Sequence, residues 1–180
     1  MFLCFFASRI NYFVLVIFSI CLLLAIITYS PSDPNFLYNP EETHINNLLG
    51  LKGSIISDFL LQAIGLISLL FIINLLIWGI KLLRKKIINN FLSKIFFTVL
   101  YMLSGTTLIF YHNNNSFWLV DNGNGGFLGR IIGENLKNLP VFNENYYVLF
   151  FLFLLTLIFF SLSIDLKIKE SIKIIKLPYL

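Results

Sequence analysis

Charge is scarce in this chain: Asp, Glu, Lys and Arg make up only 12% of 180 residues, where soluble domains carry roughly 25%. Cysteine is nearly absent, with only Cys4 and Cys21. On one continuous helix their spacing puts them about 25 Å apart, far beyond the roughly 4.4–6.8 Å between Cα atoms that a disulfide allows. They read as small apolar fillers. No C-x-x-C and no Cys/His cluster occurs, so neither a zinc nor a redox site is proposed. There is no Gly-Lys dipeptide anywhere, hence no Walker A sequence, which excludes a P-loop nucleotide motor from these residues. His44 and His112, the two histidines, stand far apart without a matching ligand set and read as solvated surface residues. No Ser/His/Asp arrangement can be argued. The chain is therefore expected not to be an enzyme, with no catalytic, cofactor-binding or metal-binding residue and no cofactor.

What is abundant is apolar surface. Hydrophobic residues make up 58% of the chain, and the mean hydropathy is +0.85. A soluble fold would have to bury several runs of nearly twenty apolar residues in one small core, while a domain of this size leaves roughly 30% of its unfolded-chain surface exposed. Four runs are long and apolar enough to cross a hydrocarbon core about 30 Å thick: residues 12–29, 59–80, 95–111 and 146–164. Tyr12, Tyr29, Trp78, Tyr111, Tyr146 and Tyr147 stand near their ends, where interfacial aromatics are expected. Four isolated spans cannot close a barrel, so each must satisfy its own backbone as a helix. The expected fold is all-α: an integral membrane bundle of four transmembrane helices with short interfacial helices in the two outward loops. Residues 1–165 form the membrane domain and 166–180 a basic cytoplasmic tail. A cleaved signal peptide over the first run is disfavoured, because the run exceeds a usual apolar region and its small residues lead straight into Pro31.

Orientation follows from Lys and Arg in the connections. The segment Lys81 to Lys94 holds five basic residues and no acid, and the tail from Asp165 holds four lysines against two acids. The connection from Ser30 to Asp58 offers Lys52 against Asp33, Glu41, Glu42 and Asp58, and that from His112 to Asn145 offers Arg130 and Lys137 against three acids. Both termini are expected in the cytoplasm. The cluster Lys81, Arg84, Lys85 and Lys86 reads as a topology determinant; contact with DNA or anionic lipid is its competing reading.

No charged side chain falls inside a span, whereas proton relays and ion-coupled carriers usually need one. Gln62, Asn74, Ser104, Thr106, Thr107 and Thr156 are among the polar residues there, suited to interhelical hydrogen bonding at about 0.6 kcal/mol apiece. Asn74 is the first to test.

The first apolar run ends in Thr28-Tyr29-Ser30-Pro31-Ser32-Asp33-Pro34. Pro31 restricts Ser30 to extended geometry, and Ser32 and Asp33 suit local amide bonding, so a rigid turn is expected. In residues 45 to 65, Asn46 or Asn47 is placed to cap a short helix, and Gly50 and Gly53 to permit a bend. Asp58 is expected at the mouth of the second span, near a helix amino terminus, where its charge meets the macrodipole. In the third connection Gly125, Gly129 and Gly133 recur every four residues, one face of a helix that suits close backbone approach. Arg130, Glu134 and Lys137 would reach headgroups. A re-entrant or interfacial helix and a flexible loop are the two readings of that segment.

These stretches together resemble the amino-terminal four-span module of the FtsK family of bacterial DNA translocases. The first resembles an S/T-Y-x-P-x-D-P signature after the first membrane helix. The second matches N-x-x-G-x-x-G-x-x-x-[AS]-D-x-L-x-x-x-x-G at Asn47, Gly50, Gly53, Ser57, Asp58, Leu60 and Gly65. Trp78-Gly79 and the glycine-rich segment from Gly123 to Leu136 follow in the same order. The resemblance implies a non-catalytic membrane-anchoring and assembly module in the bacterial inner membrane, at the division septum. Its implied partners are the lipid bilayer, further copies of itself, cell-division membrane proteins, and a P-loop motor that is downstream or separate. The chain is then a fragment, a split gene or a stand-alone relative, with no direct nucleic acid contact. A small channel or carrier subunit, lined by Asn74 and Ser104 to Thr107, is the alternative.

Overall fold

The computed structural model describes residues 2–35, 44–85, 88–115, 118–119, 121–138 and 146–165, with side chains from Tyr12 onward except that of Lys85. They form six helices, and there is no strand among them: α1 (Phe2–Ile27), α2 (Gly50–Ile64), α3 (Ile67–Lys85), α4 (Phe91–Asn113), α5 (Gly126–Lys137) and α6 (Tyr146–Ile164). The expected tail, residues 166–180, lies outside the described residues, as do Glu41, Glu42 and Lys86.

Among the described residues three helices are long and apolar enough to cross a membrane: Ile67–Arg84, Phe91–Asn113 and Tyr146–Ile164. The apolar stretch Tyr12–Ile27 of α1 is shorter. Two antiparallel pairs make the bundle. In the first, α1 meets α3 so closely that Val16 occupies the space a Cβ on Gly79 would take, and Leu22 and Ile26 join Leu61, Ile72 and Leu119 in one buried cluster. In the second, α4 meets α6 through the stacked rings of Phe97 and Phe159, the edge-on pair Tyr101 and Phe160, and the hydroxyls of Ser104 and Thr156. Gly105 lets Ile67 of α3 and Thr156 of α6 approach α4 at one point. The two shorter helices pack beside these pairs, α2 against α1 and α5, and α5 against α4.

The burial pattern runs opposite to that of a water-soluble protein. Phe13, Phe18, Phe96, Phe150, Phe151 and Ile158 are exposed, while Ser19, Asn74, Thr98, Thr106, Thr156 and Ser163 are buried. Exposed phenylalanines are costly in water and indifferent in hydrocarbon, and polar side chains in lipid turn inward to find partners.

The expected second span, 59–80, is not one helix. It breaks at Gly65, whose backbone (φ 58, ψ −145) ends α2, and α3 restarts at Ile67. A Cβ at Gly65 would lie 2.0 Å from the Asn124 carbonyl oxygen, so only glycine fits. Apolar residues flank both sides of the break, and hydropathy therefore runs through it unchanged. The sixth helix starts and ends where expected, the third span is longer than 95–111 by a few residues at each end, and α1 stops at Ile27 rather than 29.

Candidate functional site

Three polar joints hold the helices in register; three of the four resembling stretches build the first two, and Trp78 of the remaining one bonds the Ser163 carbonyl beside the third. The first is built around Asp33. Helix α1 finishes with Thr28 and Tyr29 amides bonded back to Leu24 and Ile26, and the turn that follows closes with the Asp33 amide on the Ser30 carbonyl. This delivers the Asp33 carboxylate, 2% exposed, into the protein. Its partners are not the local amides expected from the turn. It accepts from the Asn46 amide at 3.0 Å, the Asn46 side chain at 2.9 Å and the Asn47 amide at 2.8 Å, thirteen and fourteen residues away. The charge on Asp33 makes these bonds stronger than neutral ones, about 1.5–3 kcal/mol each where buried.

Asn47 extends the joint. Its side chain donates to the Ala25 carbonyl at 2.8 Å and accepts from the Leu49 amide at 3.1 Å. It therefore shapes the turn into α2 rather than capping the helix, whose flanking residue is Leu49 without a side-chain cap. Gly53 is required beside it, since a Cβ there would meet Asn47 Oδ1 at 2.2 Å. Ser54 donates to the Pro34 carbonyl at 2.6 Å. The proline-aspartate turn and the asparagine-glycine segment are thus one structure.

Asp58 departs from its expected role. It lies in the second half of α2, away from the helix amino terminus, and accepts a 3.0 Å bond from the Tyr29 hydroxyl. Tyr29 in turn stands 6.1 Å from Trp118, ring centre to ring centre.

The second joint clasps the α2–α3 break. The Leu66 amide donates to the Asn124 carbonyl at 3.0 Å, and Gly126 (φ 65) has no room for a Cβ, which would fall 2.4 Å from the Gly65 nitrogen. Two glycine backbones are in direct contact. Asn114 fixes the approach, accepting from the Gly125 amide at 2.9 Å and donating to the Asn122 carbonyl at 3.2 Å. Asn122 donates to Gln62 at 2.9 Å. The glycine stripe behaves as its spacing predicts: α5 is a helix, and a Cβ on Gly129 would meet the Thr106 carbonyl oxygen at 2.5 Å, one on Gly133 the Phe110 ring at 2.0 Å. Arg130 donates to the Asp121 carbonyl at 2.7 Å, and Lys137 lies 4.8 Å from the centre of the Phe110 ring. These contacts were not foreseen from headgroup reach.

The third joint is the one that Asn74 signalled. Its side-chain nitrogen lies within hydrogen-bond distance of the hydroxyls of Thr98 (3.0 Å), Tyr101 (3.2 Å) and Ser163 (2.9 Å), which share its two hydrogens and join α3, α4 and α6. Thr98 itself donates to the Lys94 carbonyl and is bonded to Ser163 at 2.7 Å. Asn74 is fully buried, and its carbonyl oxygen, like the Ser68 hydroxyl, has no partner among the described residues. Ser163 and Tyr101 were not singled out from sequence; they carry no motif and were masked by the apolar runs that contain them. Of the other intraspan residues, Ser104 and Thr156 bond each other at 3.1 Å, and Thr106 and Thr107 bond carbonyls one turn back.

Among the described residues no group of three or more His, Cys, Asp or Glu gathers to hold a metal. Cys21 is a free thiol. The arrangement is one of packing and positioning.

Comparison with known proteins identifies the family. Residues 6–173 match the family described as the 4TM region of DNA translocase FtsK/SpoIIIE. The chain is 29% identical over 158 residues to the DNA translocase FtsK of Rickettsia bellii (strain RML369-C), covering 87% of this chain and 20% of that protein. It is 25% identical over 157 residues to the DNA translocase FtsK of Rickettsia typhi (strain ATCC VR-144 / Wilmington), with the same two coverages. The corresponding protein of Rickettsia prowazekii (strain Madrid E) is 26% identical over 144 residues, 80% of this chain and 18% of its own. The chain thus spans about a fifth of the length of the curated relatives it matches. No solved structure matches it.

Proposed function

The chain belongs to the family of 4TM regions of FtsK/SpoIIIE DNA translocases, and from that premise we propose that it is the membrane-anchoring and assembly module of an FtsK-like translocase serving cell division and chromosome segregation. In this reading four helices cross the inner membrane: α1, α3, α4 and α6, with both termini in the cytoplasm. Helices α2 and α5 lie at the outer side. The module is non-catalytic and contacts no nucleic acid itself. DNA pumping belongs to a P-loop motor, downstream or on a separate chain, and the module gathers copies of itself and division proteins at the septum.

The observation that carries the reading is the family match over residues 6–173, in a chain whose family-like stretches converge on the three joints. The same joints weigh against a channel or carrier. The Asn74 side-chain nitrogen and the hydroxyls of Ser104, Thr106 and Thr107 bond within one chain, and the Asn74 carbonyl oxygen is buried, which leaves few polar groups to line a path between copies. A fluorescent fusion in a dividing bacterium tests the proposal: accumulation at the septum is expected, and even distribution along the envelope would overturn it. For the channel reading, a liposome flux that disappears in Asn74→Leu would be the supporting result.

A further inference from the structure

The last turn of α6 is gripped from two other helices. Trp78 Nε1 donates to the Ser163 carbonyl at 3.1 Å. Lys81 Nζ donates to the Ile164 carbonyl and, at 3.0 Å, to the Asp165 carbonyl. Lys94 Nζ, whose side chain is 9% exposed, pairs with the Asp165 carboxylate at 3.3 Å. Asn74 and Thr98 hold the Ser163 hydroxyl from below. Trp78 is itself braced edge-on by Phe91 at 5.4 Å between ring centres.

A helix ends with carbonyls that have no partner within it and with the negative pole of its dipole. Lys or Arg residues in its own last turn can answer both needs. Helix α6 has no basic residue in its last turn. The cations come instead from α3 and α4, and one of them, Lys94, stays nearly buried beside the helix end. Asp165 then takes a left-handed backbone (φ 53), which stops the helix at the point where the grip is made.

We propose that Trp78, Lys81 and Lys94 form a clamp on the carboxy-terminal end of α6, fixing where the chain leaves the bundle so that tension on the residues after Asp165 is borne by α3 and α4 rather than by α6 alone. The proposal deepens the anchor reading and rests on it for its purpose, since an anchor must hold whatever pulls on its exit point. The geometry of the clamp stands independently. Helix α6 needs such a brace because most of its surface is apolar and exposed, and such a surface slides in lipid at little cost.

The test is single-molecule pulling on the full chain in bicelles, with handles at the two termini. In the wild-type chain the end of α6 should stay folded until the whole helix leaves. In Lys81→Met with Lys94→Met, the terminal turn should open first, and its opening rate at a fixed force should rise by about tenfold or more, as expected for losing charge-assisted bonds at a buried site. Lys81→Arg should restore the wild-type rate, and Leu162→Ala, on an exposed apolar position of the same turn, should leave it unchanged. An unchanged rate in the double variant would overturn the clamp. Should that variant fail to fold, hydrogen exchange at the Asp165 amide in Asp165→Asn and Trp78→Phe decides: faster exchange in both supports the clamp, wild-type exchange in both refutes it. A chain that misses the septum in cells yet opens faster when Lys81 and Lys94 are replaced loses the anchor reading and keeps the clamp. The reverse pair of results loses the clamp alone.

Discussion

The two ends of the bundle are held together by different chemistry. At the end carrying Asp33 and the α2–α3 break, the joints turn on the main chain: Gly65 against Gly126, the Asn124 carbonyl against the Leu66 amide, and the Asp33 carboxylate on two main-chain amides. At the end carrying Asn74, the joint is made by side chains: hydroxyls and an amide bonded to one another, an indole and Lys81 on main-chain carbonyls, and Lys94 on the Asp165 carboxylate. The first kind depends on the absence of atoms and tolerates almost no substitution. The second depends on chemistry that related side chains partly reproduce, so its losses should be graded.

That contrast sets the order of expected effects. Gly65→Ala should be the most damaging single change. It places a methyl 2.0 Å from the Asn124 oxygen at a positive φ, and it should cost about 4 kcal/mol or prevent folding altogether. Denaturant titration in mixed micelles measures it; a near-neutral result would mean that the two glycines do not touch. Asp33→Ala should follow at about 2–4 kcal/mol, because it strips three bonds and leaves buried amides without an acceptor. The same titration checks it, and Asp33→Glu should not rescue, since the longer side chain misplaces the carboxylate.

At the other end the effects should be smaller. Asn74→Leu is expected to cost about 1–2 kcal/mol, since Thr98 and Ser163 still bond each other when the amide is gone and interhelical bonds in membranes average roughly 0.6 kcal/mol. A loss as large as that of Gly65→Ala would erase the contrast between the two ends. Ser68→Ala removes a buried hydroxyl that has no partner among the described residues, and should fall within about 1 kcal/mol of wild type, on the stabilising side. Clear destabilisation there would reveal a hidden partner.

The same contrast explains what could be read in advance. Side-chain chemistry leaves a mark in sequence: a lone asparagine in an apolar run stands out, and Asn74 proved to be the hub of three helices. Glycines at four-residue spacing also stand out, and Gly125, Gly129 and Gly133 do face α4. Gly65 belongs to a resembling stretch, yet the break itself leaves no mark in the hydropathy, because one glycine between apolar residues is compatible with a continuous span. The meeting of Gly65 and Gly126 depends on which loop lies opposite, which local pattern does not contain. Asp33 is similar: an aspartate between prolines suggests a self-contained turn, and its partners lie thirteen and fourteen residues further on. Asp58 was placed by an assumed span boundary and moved when the boundary did.

The central claim is that these ends face opposite sides of a membrane, with the lysine-rich one inside. Single cysteines at Lys52 and at Asn90, both exposed, introduced after Cys4 and Cys21 are replaced by alanine, test it most directly in intact cells whose outer layer has been made permeable. The account predicts that an impermeant thiol reagent labels position 52 and leaves position 90 untouched until the inner membrane is opened. Labelling of position 90 before that opening would contradict it.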